Sequence, residues 1–330
     1  MARKMELGVC LFELRTGNGF EIDENLILDA ARRAEQIGFD YVALPDRVSR
    51  PTYRFDTLTL AAALAVQTKR IKLKTHVFVL PLRHPIELAR RLVTLDYLSH
   101  GRFILEAGLG GGGDLPGAVG TVYNKEYADV GVPHNQRGRR ANEILEALRL
   151  LWTEPAATFE GKYYSFRDVE FNPKPYSKPH MPIWIGGNSE AALKRAARFG
   201  DGWSPTWETI DRLGGVPAVR QRLAEERALV GRAPAGEMHI TGCIKINVNP
   251  ARERALSEAS RFWEEQRNSI EGAQRFEIKA REDIYGRPGE LVEKLQGFQA
   301  DGMDSVVMHL HSFDVMTQLS RLEEEVLPRL

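Results

Sequence analysis

The chain has 330 residues, in which 45 lysine and arginine residues balance 45 aspartate and glutamate residues, with 43% hydrophobic residues and two cysteines. This composition is typical of a globular protein and excludes a disordered chain, while zero net charge argues against nucleic acid as the main partner. Two cysteines are too few for a disulfide framework, and no segment approaches the roughly 18 apolar residues of a membrane span, so we expect a cytoplasmic protein without a membrane partner.

The first hundred residues alternate between short apolar segments, which are typical of strands, and segments with apolar residues at helical spacing. The first of the helical segments has Asp23 as a possible cap at its start and Gly38 at its end. Four strands are predicted, at Met5–Leu11, Tyr41–Leu44, Ile71–Val79 and Phe103–Ala107. Three helices are predicted between them, at Asn25–Ile37, Thr57–Thr68 and Ile86–Leu98.

The regular alternation is interrupted in the middle of the chain. Gly108–His134 is rich in glycine and predicts a long loop, a candidate lid, which is followed by a helix at Arg139–Trp152. Thr158–Phe171 predicts a hairpin, and the prolines of Asn172–Pro179 favour an extended linker because the residue before a proline is biased away from the helix. We therefore expect insertions near residues 108–134 and 155–180.

The alternation of strands and helices then resumes up to the last residues. Four strands are predicted, at Pro182–Ile185, Gly202–Ser204, His239–Val248 and Ser305–Leu310. Five helices are predicted, at Glu190–Phe199, Val219–Val230, Ala251–Trp263, Gly289–Ala300 and Val315–Leu327. Eight strand–helix units predict an α/β fold, a single (β/α)8 TIM barrel over residues 1–330, with a doubly wound open sheet as the alternative. In such a barrel the functional site lies at the C-terminal ends of the strands.

Two glycine-rich segments follow predicted strands. The segment from Gly108 to Gly113 matches G-x-G-x-x-G, but no helix follows it, which argues against a dinucleotide fingerprint. We interpret it either as a plain loop or as a place where a planar ligand or a phosphate approaches the backbone. The segment from Gly186 to Ser189 precedes a predicted helix, whose N-terminus can bind a phosphate, and a plain helix cap by Ser189 is the alternative.

Charged and sulfur-bearing side chains also fall at or near strand ends. Asp46 and Arg47 follow the second strand, either as functional groups or as a surface ion pair, which contributes little stability. His309 and His311 share one face of the last strand, and we expect one to reach the pocket and the other to pack. A metal needs a third ligand that the pattern does not supply, so no metal is predicted. Cys10 and Cys243 are expected to be buried, inert thiols.

Five stretches, in order along the chain, resemble the bacterial luciferase-like family of flavin- and deazaflavin-dependent oxidoreductases. They are GFDYVALPD (Gly38–Asp46), LPLRHP (Leu80–Pro85), LDYLSHGR (Leu95–Arg102), RGRR with LRLLW (Arg137–Arg140 and Leu148–Trp152), and PIWIGG with GDGW (Pro182–Gly187 and Gly200–Trp203). The resemblance is clear from about residue 5 to 205 and weaker beyond. It implies a (β/α)8 barrel, often a homodimer, with a reduced isoalloxazine-type cofactor at the C-terminal end of the barrel.

The resemblance also implies roles for individual residues. It implies a cofactor-binding set of Asp46, Thr75, His76, Val77, Gly108, Gly110, Gly186, Gly187, Asn188 and Ser189. Within this set, Asp46 lies beside the ring, a non-prolyl cis peptide joins His76 to Val77, and the segment from Gly186 to Ser189 meets the phosphate. One position departs from the family, because deazaflavin-dependent members often have a histidine, their proton donor, where this chain has Arg47.

An arginine stays protonated and is a poor general acid. We therefore favour reduced FMN slightly over the deazaflavin coenzyme F-420. The predicted function is a two-component monooxygenase that takes reduced FMN from a separate flavin reductase and uses O2 on a small organic substrate, with Arg47, His76 and Arg83 as its catalytic contacts. The alternatives are a deazaflavin-dependent hydride transferase, a flavin-binding protein without turnover, and an aldolase or isomerase that would need Lys74 or Lys245 as a Schiff base.

Overall fold

The structure is a computed structural model that describes residues 4–11, 23–49, 55–111, 118–232, 238–268 and 283–330. The strands of this part of the chain are β1 (Glu6–Cys10), β2 (Tyr41–Leu44), β3 (Lys72–Thr75), β4 (Phe78–Val79), β5 (Phe103–Gly108), β6 (Ala157–Glu160), β7 (Ser165–Val169), β8 (Ile183–Gly186), β9 (Gly202–Ser204), β10 (His239–Val248), β11 (Asp283–Gly286) and β12 (Ser305–Leu310).

The helices alternate with these strands over most of the chain. They are α1 (Glu24–Ile37), α2 (Thr57–Gln67), α3 (Pro85–Leu98), α4 (Ala118–Asp129), α5 (Arg137–Thr153), α6 (Glu190–Phe199), α7 (Trp207–Arg212), α8 (Val216–Leu229), α9 (Arg252–Asn268), α10 (Pro288–Ala300) and α11 (Val315–Arg321). Within the described ranges, none of the helices has the length and apolar character needed to cross a membrane.

Eight of the strands close into a parallel barrel, in the order β1–β2–β3–β5–β8–β9–β10–β12. The ring is completed where β9 pairs with β10 and where β12 pairs with β1. The strands bury apolar side chains against the surrounding helices in one large cluster. The prediction of a (β/α)8 barrel is therefore confirmed, and the open-sheet alternative is wrong. The predicted hairpin is also present, as an antiparallel sheet of β6 and β7.

Local signals set several element boundaries where the sequence predicted them. The Asp23 carboxylate accepts hydrogen bonds from the N–H groups of Asn25 and Leu26 at 2.9 and 3.1 Å and begins α1. Gly38 ends α1 with a φ of 97°, a conformation that glycine adopts without steric cost. The predicted bounds of β2, α6, β9, β10 and β12 agree with the structure residue for residue.

Other predicted elements differ from the structure. The single strand expected at Ile71–Val79 is divided into β3 and β4 by a cis peptide bond between His76 and Val77. The loop expected at Gly108–His134 contains α4, while residues 112–117 lie outside the described ranges. The prediction also missed α7, whose six residues are too few for helical spacing to show, and β11, which joins the ladder beside β10.

The inside of the barrel is filled by aromatic and charged side chains, three of which lie at or near the starts of their strands, while Lys74 lies later in its own. Trp184 of β8 stacks on His239 of β10 at 4.2 Å and meets Tyr41 of β2 edge-on at 5.7 Å. The Lys74 ammonium of β3 lies 4.7 Å from the Trp184 ring, in a cation–π contact. All four side chains are buried. Since they come from different sides of the ring, they close the N-terminal end of the barrel, and we call them the barrel floor.

A prediction concerns Gly242 of β10, where an added Cβ would lie 2.5 Å from the Trp207 ring. That ring cannot move easily, because it is buried, stacks on Phe298 and donates a hydrogen bond to the Cys243 carbonyl at 2.6 Å. We expect Gly242→Ala to lower the free energy of unfolding by about 1–3 kcal/mol, as overpacking does. Denaturant titration measures the change.

The matched control is Gly297→Ala in α10, because nothing lies within 4 Å of its added methyl group. This variant should raise the free energy of unfolding by about 0.5–1 kcal/mol, since alanine loses less backbone entropy in a helix than glycine does. Equal stability of Gly242→Ala and the unchanged protein would contradict the packing argument.

Candidate functional site

The candidate site lies at the C-terminal ends of the barrel strands, which we call the mouth. The cis peptide at His76–Val77 follows β3, as the resemblance implied. Asp46 follows β2, Glu106 is near the end of β5 and Gly186 ends β8. Opposite them, Cys243 lies in β10 and His309 in β12. The closed ring thus brings together residues that belong to six strands or directly follow them.

Asp46 is held by neighbours on all sides and is 1% exposed. Its carboxylate accepts from the Arg83 guanidinium at 2.9 and 3.1 Å and from the Val79 backbone N–H at 2.9 Å. Burial raises the pKa of Asp46, although the Arg83 charge and the Val79 N–H act in the opposite direction. The Arg83 guanidinium also lies 4.8 Å from the Phe78 ring. Arg83 is therefore engaged as the ionic partner of Asp46 at the rim of the mouth.

A buried charge chain runs from Lys74 through Glu106 to His76. One Glu106 oxygen lies 2.5 Å from the Lys74 ammonium, and the other lies 3.0 Å from Nδ1 of His76. The side chains of Lys74 and Glu106 are fully buried. An ionised carboxylate can only accept, so Nδ1 of His76 carries the shared hydrogen and Nε2 is left for other partners.

The charges of this chain shift the pKa of both partners. Burial raises the pKa of Glu106, but the His76 and Lys74 charges outweigh burial and lower it to about 2. Burial lowers the pKa of His76, but the Glu106 carboxylate, together with a hydrogen bond involving Cys243, raises it to about 9. Two cations thus share one carboxylate beneath the mouth.

Thr75 ties this chain to the barrel wall. Its hydroxyl donates to the Glu106 carbonyl at 2.9 Å and accepts from the Glu106 N–H at 2.9 Å. The Thr75 hydroxyl therefore continues the hydrogen bonding between β3 and β5 beyond their last backbone pair, Lys74 and Ile104. Thr75 is completely buried and acts on Glu106 through its backbone.

Three of the predicted cofactor residues pack on one another. The Val77 side chain lies over Gly108 and Gly186, and an added Cβ on Gly108 would come within 2.5 Å of it, with Gly186 closer still. One interpretation of the sequence was that a ligand approaches the backbone at Gly108, but the space beside its Cα is filled by the Val77 side chain. Gly110 has a φ of 72°, which favours glycine for the backbone alone. Cofactor contacts of these glycines stay a prediction.

The segment from Gly186 to Ser189 has the geometry of a helix cap. The Ser189 hydroxyl accepts from the Ala192 N–H at 3.2 Å at the start of α6, and the Asn188 side chain accepts from the Thr206 N–H at 2.7 Å. Gly187 has a φ of 137° and donates its N–H to the Ser204 carbonyl at 3.2 Å. Asn188 and Ser189 are exposed, so phosphate binding at this helix start stays a prediction.

Arg47 follows β2, beside the helix α4 that lies in the predicted loop region. It is half-buried, and its guanidinium donates to the Asp46 carbonyl at 3.1 Å. Helix α4 packs beside it: the Glu126 carboxylate accepts from the Val48 N–H at 2.7 Å, and the Tyr127 hydroxyl donates to the Leu109 carbonyl at 2.7 Å. α4 is thus attached to the ends of both β2 and β5.

A third group joins residues that the sequence kept apart. The ligand atoms of His76, Cys243 and His309 all lie within 4.8 Å of one another, and the two imidazole rings meet edge-to-face at 5.1 Å. His309 reaches the mouth, while His311 is buried and its Nδ1 lies 2.9 Å from the Tyr285 hydroxyl. The expectation that one of these histidines packs is confirmed for His311, while a pocket contact of His309 stays a prediction.

The sequence argument missed Glu106 and the pairing of Lys74. The available signal was a single charged residue inside each of two otherwise apolar strands, because charged residues are almost never fully buried without a partner. No sequence signal indicates that Cys243 lies near His76 and His309, because these two residues are 167 and 66 positions away along the chain. Lys245, the other strand lysine, pairs with Asp283 at 3.0 Å.

The sequence profile of the luciferase-like monooxygenase family matches residues 5–305. An uncharacterized protein of Mycobacterium bovis is 34% identical over 194 residues, which are 58% of this chain and 64% of that protein. An F-420-dependent glucose-6-phosphate dehydrogenase of Amycolatopsis mediterranei is 27% identical over 92% of this chain and 94% of its own length. A dimethylsulfone monooxygenase of Pseudomonas putida that depends on reduced FMN is 27% identical over 73% of this chain and 61% of its own length.

Solved structures share the fold. A Baeyer–Villiger monooxygenase component of Pseudomonas putida, in complex with FMN, has a TM-score of 0.75 at 18% identity and covers 99% of both chains. An F-420-dependent secondary alcohol dehydrogenase has a TM-score of 0.72 at 18% identity, also over 99% of both chains. At these identities the likeness concerns the fold.

The raised pKa of His76 predicts a pH-dependent part of the stability. Because its pKa is about 9 when folded, against 6.5 ordinarily, its stabilising contribution is fully present below pH 6.5 and is lost as the pH rises through 9. Over this interval, we expect the unchanged protein to lose more unfolding free energy than His76→Gln, by an amount on the order of 3 kcal/mol. Urea titrations across the interval measure it, and parallel losses in both proteins would contradict it.

Proposed function

We propose a function from one premise: the chain belongs to the luciferase-like monooxygenase family. We infer that it is a two-component monooxygenase that receives reduced FMN from a separate flavin reductase and oxidises a small organic substrate with O2. The observation that carries this choice within the family is Arg47, a fixed cation beside the buried Asp46 where a proton donor would be needed for hydride transfer. A cytoplasmic location suits the low cysteine content.

The residues of the mouth fit a reduced flavin in two respects. Cationic groups of Arg47, Arg83 and His76 surround the rim and favour a ligand that carries or develops negative charge. The start of α6, with Gly187 and Ser189, offers the positive end of a helix to a phosphate. In this proposal Asp46, Thr75, Val77, Gly108, Gly110, Gly186 and Asn188 complete the cofactor contacts.

Reduced FMN, when bound, supplies the electrons that activate O2. The protein supplies orientation and charge. Arg47 cannot give up its proton at working pH, so we assign it to holding an anionic group, and Arg83 adds a second guanidinium from its pairing with Asp46. His76 is oriented by Glu106 through Nδ1, and we assign its Nε2, the nitrogen that remains for the hydrogen bond involving Cys243, to a contact with the substrate or oxygen. The barrel floor excludes water from below.

A second candidate is hydride transfer with coenzyme F-420. It is favoured by the F-420-dependent glucose-6-phosphate dehydrogenase, whose match spans 92% of this chain. In this case His76, which has a raised pKa, would take the place of the missing histidine as the proton donor. The two candidates differ in whether oxygen is consumed.

A binding titration tests the proposal directly. The flavin-free protein is titrated without oxygen with reduced FMN, oxidised FMN and F-420, and ring absorbance and fluorescence are followed. We expect reduced FMN to bind at least tenfold more tightly than the other two, which corresponds to about 1.4 kcal/mol. Admission of O2 with substrates such as aldehydes, ketones or sulfonates should then give substrate-dependent oxygen consumption. Tight binding of F-420 alone supports the second candidate, and binding of neither contradicts both.

Arg47 can be tested separately. We expect Arg47→Ala to weaken the binding of reduced FMN or of substrate about tenfold, because a fixed positive charge at the rim is lost. Arg47→Lys is the matched control, since it keeps the charge but loses the planar guanidinium. Its affinity should fall between those of the unchanged protein and Arg47→Ala. Unchanged binding and unchanged oxygen consumption in Arg47→Ala would contradict this role of Arg47. Binding of flavin without any substrate-dependent oxygen consumption in the unchanged protein would favour the flavin-binding protein without turnover.

We also propose a homodimer through α2 and α3. Val66, Tyr97 and Leu98 are 40–53% exposed there and line a groove of about 520 Å³, and exposed apolar patches of this kind mark association surfaces. We expect light scattering to give twice the chain mass for the unchanged protein and the chain mass for Tyr97→Glu. Leu229→Glu, at another exposed apolar residue on α8, is the control that should stay dimeric. A monomeric unchanged protein would contradict the proposal.

A further inference from the structure

The cluster of His76, Cys243 and His309 is not explained by flavin binding. The three side chains come from three strands of the barrel, with His76 directly after β3, Cys243 in the middle of β10 and His309 near the end of β12, and each is half-buried. We propose that they form a binding site for a divalent metal ion of the zinc type. The site shares His76 with the proposed function, but metal binding does not depend on which flavin the mouth takes.

The distances fit a site that closes on a metal. The three ligand atoms lie within 4.8 Å of one another. Zinc binds histidine nitrogen at about 2.0–2.1 Å and thiolate sulfur at about 2.3 Å, which in a tetrahedral site with one sulfur separates the ligand atoms by roughly 3.3–3.6 Å. The longest separation therefore has to shorten by at most about 1.5 Å, which rotation of these side chains can achieve.

The surroundings hold the ligands in place. His76 gives its Nδ1 hydrogen to Glu106 at 3.0 Å, and Glu106 is itself fixed by Lys74 and Thr75. A metal-binding histidine almost always donates its second ring N–H to such a carboxylate or carbonyl, which sets its orientation and raises its basicity. The Cys243 carbonyl accepts from the Trp207 indole N–H at 2.6 Å, so the strand that carries the thiol is also anchored.

The donor atoms select the kind of metal. Two imidazole nitrogens and one thiolate sulfur suit zinc or another borderline to soft cation, whereas magnesium and calcium prefer oxygen. Binding would displace the thiol proton of Cys243 and the second proton of His76 to solvent, because only the deprotonated groups are ligands. Three protein ligands leave the fourth tetrahedral position open to water or another small ligand.

The metal would use the same nitrogen of His76 that the proposed function assigns to substrate or oxygen. Occupancy of the metal site should therefore inhibit flavin-dependent turnover. Metal binding itself is measured on flavin-free protein, so the test does not depend on turnover.

The experiment titrates chelator-treated, flavin-free protein with Co²⁺, whose absorption reports thiolate coordination and tetrahedral geometry. We expect one equivalent to bind with a thiolate-to-cobalt charge-transfer band, and one equivalent of Zn²⁺ to remove that band. Cys243→Ser and His309→Gln should each weaken binding at least tenfold, and Cys243→Ser should abolish the charge-transfer band. Glu106→Gln should weaken binding about 10–100-fold, as loss of a carboxylate behind a ligand histidine does.

Cys10→Ser is the matched control, because Cys10 is the only other thiol of the chain and lies outside the three-residue cluster. It should keep both the affinity and the charge-transfer band. Circular dichroism of each variant confirms that it is folded, and His309→Gln keeps the test valid if Cys243→Ser does not fold. Failure of the unchanged protein to bind Co²⁺ or Zn²⁺, or binding that survives in folded Cys243→Ser or His309→Gln, overturns the proposal.

Discussion

Glu106 is a single carboxylate buried between two cations, and much of the mouth depends on it. It has no exposure to water, and among the described residues its charge is stabilised by Lys74 at 2.5 Å and His76 at 3.0 Å. Removing one member of such a group leaves an uncompensated buried charge, which is far less favourable than replacing the whole group by apolar residues. The three residues therefore constrain one another, and the orientation of His76 follows from a contact deep in the barrel wall.

A steric constraint acts beside this electrostatic one. Val77 lies in the space left by Gly108 and Gly186, which belong to different strands, so the segment after β3 is wedged between β5 and β8. On the other side of the segment, Asp46 holds Arg83 and the Val79 N–H. His76 itself lies between Thr75, whose hydroxyl is hydrogen-bonded to Glu106, and the packed Val77, so its backbone is held on both sides.

The sequence alone predicted the barrel because strands and helices alternate with different periods of apolar residues, a local property that each element carries in its own residues. It pointed to Asp46 and Arg83 because they follow predicted strands, and to His76 through the resemblance to the luciferase-like family. It could not predict that Arg83 pairs with Asp46 or that Val77 fills the space over Gly108, since these depend on how strands distant in sequence meet. The helix α4 was missed because its glycine-rich neighbourhood, Gly108–Gly120, suggested a loop.

The barrel floor has a consequence for the traffic of molecules through the mouth. It consists of Tyr41, Lys74, Trp184 and His239, which contact one another across the interior of the barrel. A ligand at the mouth therefore meets a packed layer of side chains beneath it. We expect cofactor and substrate to enter and leave on the same side, at the C-terminal ends of the strands, whichever cofactor binds.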